Sequence, residues 1–268
     1  MQALMTEELL VHIDQGSPLY LIVDINQYQE PLALLKLMEG MESLPLFRGT
    51  AYKELIPYSP KLIKLTCHSQ DLVGDVLQRL SGCVVASQQS IEQLNQTLGE
   101  MLLAEHETQG KIFMRFFAPA MARTILQSSH LTHCWRHCPQ VWLPDYQGQG
   151  WVAFERPEYD LPATFQITQK DEKTTQAEHI AYLLAKTNAW KGLPSDVLKL
   201  AAQSLVRMNA YEPLSAKKMH QWSEWLAINT SIMTEPSWLS LLNNPISNNE
   251  KWQNAQALVS QSAEITHV

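Results

Sequence analysis

The sequence predicts an α/β domain with a mixed sheet covered by helices, followed by a smaller all-helical lobe. Three observations lead there. Residues 1–156 alternate short apolar runs with amphipathic helical stretches. The pattern breaks near Arg156, where Pro157, Pro162 and a polar stretch over 169–175 intervene. Beyond that break, only helical periodicity remains. Alternating strands and helices pack as a sheet with helices on it, whereas a run of amphipathic helices packs on itself. The expected division is an α/β domain over 1–156, a linker over 157–175 and a helical lobe over 176–268.

Leu19 to Val23 is a continuous apolar run ending at Asp24, as in a strand buried on both faces. Pro31 opens a helix in which Leu32, Leu35 and Met38 recur at helical spacing, and Gly40 can end it. Leu44 to Phe47 is a second short run, and Lys61 to Thr66 alternates as a half-exposed strand does. Leu72, Val73, Val76, Leu77 and Leu80 share a helix face, and Cys83 to Ala86 reads as another buried strand. Ser90 suits an N-cap for a helix running to about His106, with Ile91, Leu94, Leu98, Met101 and Leu102 along one side. Lys111 to Phe117 reads as the clearest strand, and Pro119 opens the next helix. Val141 to Leu143 and Trp151 to Phe154 flank turn residues and suggest a hairpin. An edge strand is expected over 163–168. Thr175 and Glu178 have capping-box spacing, and helices are expected over about 176–189, 195–209, 215–229 and 236–243, with a short last helix.

Composition narrows the function. Of 268 residues, 45% are apolar and 18% charged, ordinary values for a globular chain with its own core. The formal net charge is −7. Residues 1–156 carry 11 Lys and Arg against 16 Asp and Glu, and the remainder 9 against 11. Neither part offers the clustered cations that replace phosphate counterions, so nucleic acid is not an expected partner. Four cysteines in this length do not make a disulfide scaffold. No cationic, apolar leader is seen at the N-terminus, and no run reaches the roughly 20 apolar residues that span a bilayer. A cytoplasmic protein with no membrane partner is expected.

The sequence holds no G-x-S-x-G, G-x-G-x-x-G, G-x-x-x-x-G-K-[ST] or H-E-x-x-H signature. One cluster could carry chemistry: His133, Cys134, His137 and Cys138 lie within six residues. On a helix the two His would share one face and the two Cys another, offering soft metal ligands or a Cys–His pair. A structural zinc site draws ligands from two segments, and this is one segment. The favoured reading is therefore a short helix with buried cysteines and no metal or other cofactor. Asp24 ends a buried strand, where carboxylates can serve a site or cap a loop. Arg48 and Arg115 stand among apolar neighbours, and a buried guanidinium needs an acid. Structural ion pairs among Asp24, Arg48 and Arg115 are expected. Five of eight tryptophans, Trp190, Trp222, Trp225, Trp238 and Trp252, fall in the last 79 residues. Met219 and Trp222 share a helical stripe with Leu226. Such a stripe is more often core than interface, yet a small lobe can hardly bury every Trp. Trp190, Met219, Trp222, Trp225 and Trp238 are therefore candidate partner-binding residues.

Seven pieces occur in a distinctive order: Tyr20 to Asp24, Pro31 with its Leu-rich helix, Leu46 to Thr50, Pro60 to Leu65, Gly82 to Ser87, Phe113 to Pro119, and Val141 to Pro144 with Trp151. Together they resemble the conserved N-terminal domain of type VI secretion effector adaptors, also called effector chaperones, over about residues 19–155. That family's strand near Phe113 reads like F-R-F-Y-D-P-R. Here Ala118 replaces the usual Asp and Ala120 a common Arg, so no ion pair carries over to them. The resemblance implies a non-catalytic adaptor that binds a toxic effector in the cytoplasm and delivers it to the spike protein, VgrG. Two alternatives stand beside it: a metal- or thiol-dependent hydrolase using His133 to Cys138, and an immunity-type toxin-binding protein.

Overall fold

The computed structural model describes residues 3–14, 16, 18–128, 130–131, 135–155 and 166–265. Contacts divide the chain into two compact units, Met1–Thr175 and Gln176–Val268. In chain order the first unit holds α1 (Thr6–Asp14), β1 (Leu19–Val23), α2 (Pro31–Leu37), β2 (Ser43–Pro45), β3 (Lys61–Lys64), α3 (Gln70–Arg79), β4 (Gly82–Ala86), α4 (Ile91–Glu100), β5 (Leu103–His106), β6 (Gly110–Phe113), α5 (Pro119–Gln127), β7 (Gln140–Pro144), β8 (Trp151–Glu155) and β9 (Gln166–Ile167). Helix α6 (Gln169–Ala185) crosses the division, and α7 (Ser195–Tyr211), α8 (Ala216–Ile228), α9 (Pro236–Asn243) and α10 (Asn248–Ile265) complete the second unit. The expected α/β region followed by helices is what the chain forms.

Six strands make the main sheet in the order β2-β3-β1-β4-β7-β8, every pair antiparallel. Alternation divides each strand between two cores. Tyr20, Ile22, Cys83, Val85, Val141 and Leu143 face Ile91, Leu94 and Leu98 of α4 and Ala122 and Ile125 of α5. Leu19, Leu21, Val23, Val84 and Trp142 face Leu9 of α1, Leu34 of α2 and Leu72, Val73 and Val76 of α3. Burial on both faces is why β1 and β4 read as unbroken apolar runs although the sheet is antiparallel, where one solvated face is common. A second sheet, β6-β5-β9, has one antiparallel and one parallel pair.

Several elements differ from expectation for local reasons. The helix capped by Ser90 has its full capping box with Gln93 but ends at Glu100. Met101 and Leu102 donate to Leu98 and Gly99 in a tightened last turn, and Leu103 to His106 continue as β5. Strand β6 stops at Phe113. Met114 still donates to Leu102, and then the chain turns so that Phe116 and Phe117 enter the core. Helix α6 begins at Gln169, seven residues before the expected start. The capping box uses Thr168 and Asp171, with Asp171 N–H donating to Thr168 Oγ1 (3.2 Å) and Thr168 N–H to Asp171 Oδ2 (2.9 Å). Thr175 lies inside the helix and donates its hydroxyl back to Asp171 O. Thus part of the expected 157–175 linker is helical, and residues 156–165 lie outside the described residues. Trp135 has a 3₁₀ conformation and Arg136 and His137 form a turn, whereas His133 and Cys134 of the expected helix lie outside the described residues. The last helix, α10, runs 18 residues instead of being short.

Gly82 sets the β1–β4 spacing. A Cβ there would sit 2.1 Å from the main-chain oxygen of Ile22, so any side chain must part the two central strands. The left-handed turn before it is consequently taken by Leu80 (φ 56°) and not by this glycine. Gly74, in the interior of α3, meets nothing within 4 Å. Gly82→Ala is expected to destabilise the protein by about 1–3 kcal/mol or more. Gly74→Ala should stabilise it by about 0.5–1 kcal/mol. Urea unfolding followed by circular dichroism measures both; equal effects would refute this view of the central strands.

Candidate interaction surface

Asp24 sits where β1 leaves the sheet, and its side chain is buried. The carboxylate accepts from Asn26 N–H (3.1 Å), Asn26 Nδ2 (3.1 Å) and Gln27 Nε2 (3.5 Å). It also forms an ion pair with Arg115, whose guanidinium is half-exposed. This carboxylate is occupied in holding the turn after β1 to the segment that follows β6. Arg48 is not in apolar surroundings: Leu46 and Phe47 turn into the core while Arg48 points to solvent. Its charge acts on Glu92.

The tryptophans proposed for binding are largely core. Trp190 and Trp238 are fully buried, and Trp222 is nearly so. Trp222, Trp225, Trp238 and Trp252 form one aromatic cluster with centroids 4.7–6.1 Å apart. Trp238 Nε1 donates to Ser204 Oγ (3.1 Å), fixing α9 on α7. Trp225, Met219 and Trp252 are partly exposed, and Ile228 is 84% exposed at the end of α8. Four indoles stacked on each other bury more of one another than their count in the sequence suggests.

Among the described residues, the His/Cys segment offers no reactive thiol. His133 and Cys134 lie outside the described residues. His137 is exposed and accepts from Arg136 Nε (3.0 Å). Cys138 is buried, and that burial pushes its thiol up to about 12, so at neutral pH it stays protonated. Cys83 is raised in the same way. A nucleophilic cysteine needs the opposite environment, exposed and electropositive. Among the described residues, no group of three or more His, Cys, Asp or Glu side chains could hold a metal ion. No helix among them is long and apolar enough to cross a membrane.

The first unit carries a groove of about 660 Å³. One wall is the turn 48–52, kept tight by Thr50 Oγ1, which donates to Phe47 O (2.9 Å) and accepts from Tyr52 N–H (3.0 Å). The other wall is a stripe on α4 made by Glu92, Asn95, Gln96, Gly99 and Glu100. The walls close where Gly99 meets Thr50: an added Cβ would come within 2.8 Å of Thr50 Cγ2. Leu44 and Leu103 are apolar lining. Tyr52, also in the lining, packs edge-on against Phe113 (4.8 Å), and both contact Phe47. Phe113 and its cross-strand partner Leu103 are each 41% exposed. An apolar rim therefore adjoins the groove, as at protein interfaces. Glu92 holds its carboxyl below the usual carboxylate range, first through its own backbone N–H at the open start of α4, then through Ser90 and Arg48. Glu100 pairs with Arg136 (3.3 Å).

Sequence reasoning missed this groove because its residues come from two stretches far apart in the chain, 44–52 and 92–103. One signal was present. Asn95 falls on the buried stripe of α4, between Leu94 and Leu98, where a polar residue must find a partner or a role.

Comparison with known proteins agrees with the ordered motifs. Residues 19–134 match the family model described as Domain of unknown function (DUF4123). The Accessory protein VasW of Vibrio cholerae serotype O1 is 28% identical over 178 residues, 65% of this chain and 59% of VasW. The chain thus spans less than two thirds of that relative's length. No solved structure matches.

If the Trp cluster is core, Trp222→Ala will cost about 3–5 kcal/mol in stability. Ile228→Ala, at an exposed position, will change it by less than about 0.5 kcal/mol. Chemical denaturation of the two variants decides this, and a fully stable Trp222→Ala protein would contradict the packing described.

Proposed function

We propose that this chain, which matches the DUF4123 family model over residues 19–134 and resembles the Accessory protein VasW, is a non-catalytic cytoplasmic adaptor of type VI secretion. It binds one toxic effector and loads that effector onto the spike protein, VgrG. The observation that carries this reading is the family match over 19–134, the stretch that also contributes every residue lining the groove. The rival thiol hydrolase is disfavoured by the buried, protonated Cys138.

The reading divides labour between the two units. The DUF4123 unit meets the spike, which such adaptors would share, through the groove and its rim of Tyr52, Leu103 and Phe113. The helical unit, outside the family match, grips the particular effector through partly exposed Met219 and Trp225 with Ile228. Trp190, Trp222 and Trp238 support that surface from within. Binding rests on apolar anchors, because a chain of mixed, mildly acidic charge gives little long-range steering.

Deleting the gene in its native cell should abolish delivery of one effector while the secretion machinery keeps working. Tagged protein purified from that cell should carry the same effector and a spike protein. Loss of all delivery, or of none, would overturn the reading. Restored survival against a toxin, with delivery untouched, would favour an immunity role.

A further inference from the structure

The smaller sheet leaves one edge open. Met114 N–H donates to Leu102 O (2.9 Å), which fixes the alternation along the β5–β6 pair. Ile112 lies opposite Ala104 and Gly110 opposite His106, so these positions turn their main-chain groups toward β5. Lys111 and Phe113 turn theirs the other way, and β6 is the last strand of its sheet. Among the described residues, nothing bonds to the outward N–H or C=O of either one. Two donors and two acceptors thus stand free, in sets about 6.8 Å apart along the strand. The other edges are closed or bare. On β2, Pro45 has no N–H, and its C=O accepts from Arg48 N–H (3.0 Å). On β8, Trp151 exchanges both groups with Leu4 (2.8 Å each), and Ala153 and Glu155 beyond it bring no exposed large apolar side chain. Strand β9 is two residues long.

Free edge groups of this kind select extended main chain, and the side chains beside them select its residues. Leu103, Glu105, Lys111 and Phe113 share the exposed face of this sheet, while Ala104 and His106 are buried on the other. Phe113 therefore puts a large, 41% exposed ring at one of the two free positions. In an added strand, the residue opposite Phe113 projects from the same face, with Cβ atoms about 5 Å apart. An apolar residue there covers the ring. A second copy of this chain does not supply one. The register that uses both free positions sets Lys111 of each copy opposite Phe113 of the other. We propose that an extended segment of a protein partner adds to β6 as a fourth strand, bonding to the main chain of Lys111 and Phe113 and laying an apolar side chain on Phe113. The proposal rests on the adaptor reading only in taking a protein as the partner; the open edge belongs to this chain alone.

Two measurements test it on the full chain. The first titrates 15N-labelled protein with the peptide acetyl-Thr-Val-Thr-Val-Thr-amide and, separately, with the same peptide N-methylated at both valines. The two share every side chain, but only the first can donate to the open edge from the residues that would lie on Phe113. It should give saturable shifts at the Lys111 and Phe113 amides, and the methylated peptide should not. No shift at these amides, or equal shifts from both peptides, overturns the proposal. So does a Phe113 amide signal that moves with protein concentration alone, which would assign the edge to a second copy.

The second measurement compares Lys111→Pro with Lys111→Ala in co-purification from the native cell. Proline removes an N–H that bonds to nothing within the chain and points its ring at the incoming strand, so the fold stays while pairing is blocked. Lys111→Pro should lower capture of one protein partner by about tenfold or more, with the other retained. Lys111→Ala should capture both as the parent does. Parental capture by both variants, or equal loss in both, overturns the proposal and leaves the adaptor reading intact. Should Lys111→Pro fail to fold, hydrogen exchange on the parent's captured complex decides: a Phe113 amide no slower than in the free chain overturns it. If the parent captures neither partner, the adaptor reading fails, and the peptide titration alone still decides the edge.

Discussion

Strand β1 is buried on both faces, with none of its five residues more than 2% exposed, and the rest of the first unit follows from this constraint. A strand with no solvated face needs apolar side chains at every position and helices on either side. It therefore recruits α4 and α5 to one face and α1, α2 and α3 to the other. Its neighbour β4 must come close, which only the missing side chain of Gly82 permits. Polar chemistry is excluded until the strand ends, and there Asp24 gathers main-chain, amide and guanidinium donors around one carboxylate.

That arrangement leaves the groove at the periphery of the sheet. Arg115, held by Asp24, lies two residues after Phe113, so the ion pair also positions the strand whose aromatic side chain forms the groove's rim. The turn 48–52 reaches the groove from the end of β2, the edge strand of the main sheet. Surface suited to a partner thus comes from short connecting segments resting on a rigid core, as binding residues commonly do. In the second unit the same economy works differently. Four indoles pack on one another and give that unit a core, leaving Ile228 and the flanks of Trp225 and Met219 on the outside.

Much of the fold is legible in the sequence because burial and period act locally. The runs at Leu19 to Val23 and Cys83 to Ala86, the Ser90 capping box and the proline-started helices α2, α5 and α9 need only their own neighbours to be read. What fails to show depends on distant contacts. Leu103 to His106 continues a helical apolar pattern but becomes β5 because β6 and β9 pair with it. Phe116 and Phe117 look like strand residues but turn into the core beside Trp135. Trp222 and Trp238 resemble hot-spot candidates in a linear count, and only packing shows that they meet each other. The groove is a product of the fold, and Asn95 alone marks it in one dimension.

The central claim is a division of labour between two compact units, and hydrogen–deuterium exchange on the full chain tests it most directly. The chain would be measured alone, with a spike protein and with a candidate effector. The account predicts that the spike slows exchange in peptides covering 46–60 and 103–115. The effector should slow exchange in peptides covering 211–231 and leave the first set unchanged. Protection by the spike confined to the helical unit, with the turn 48–52 and the β5–β6 hairpin unaffected, would contradict it.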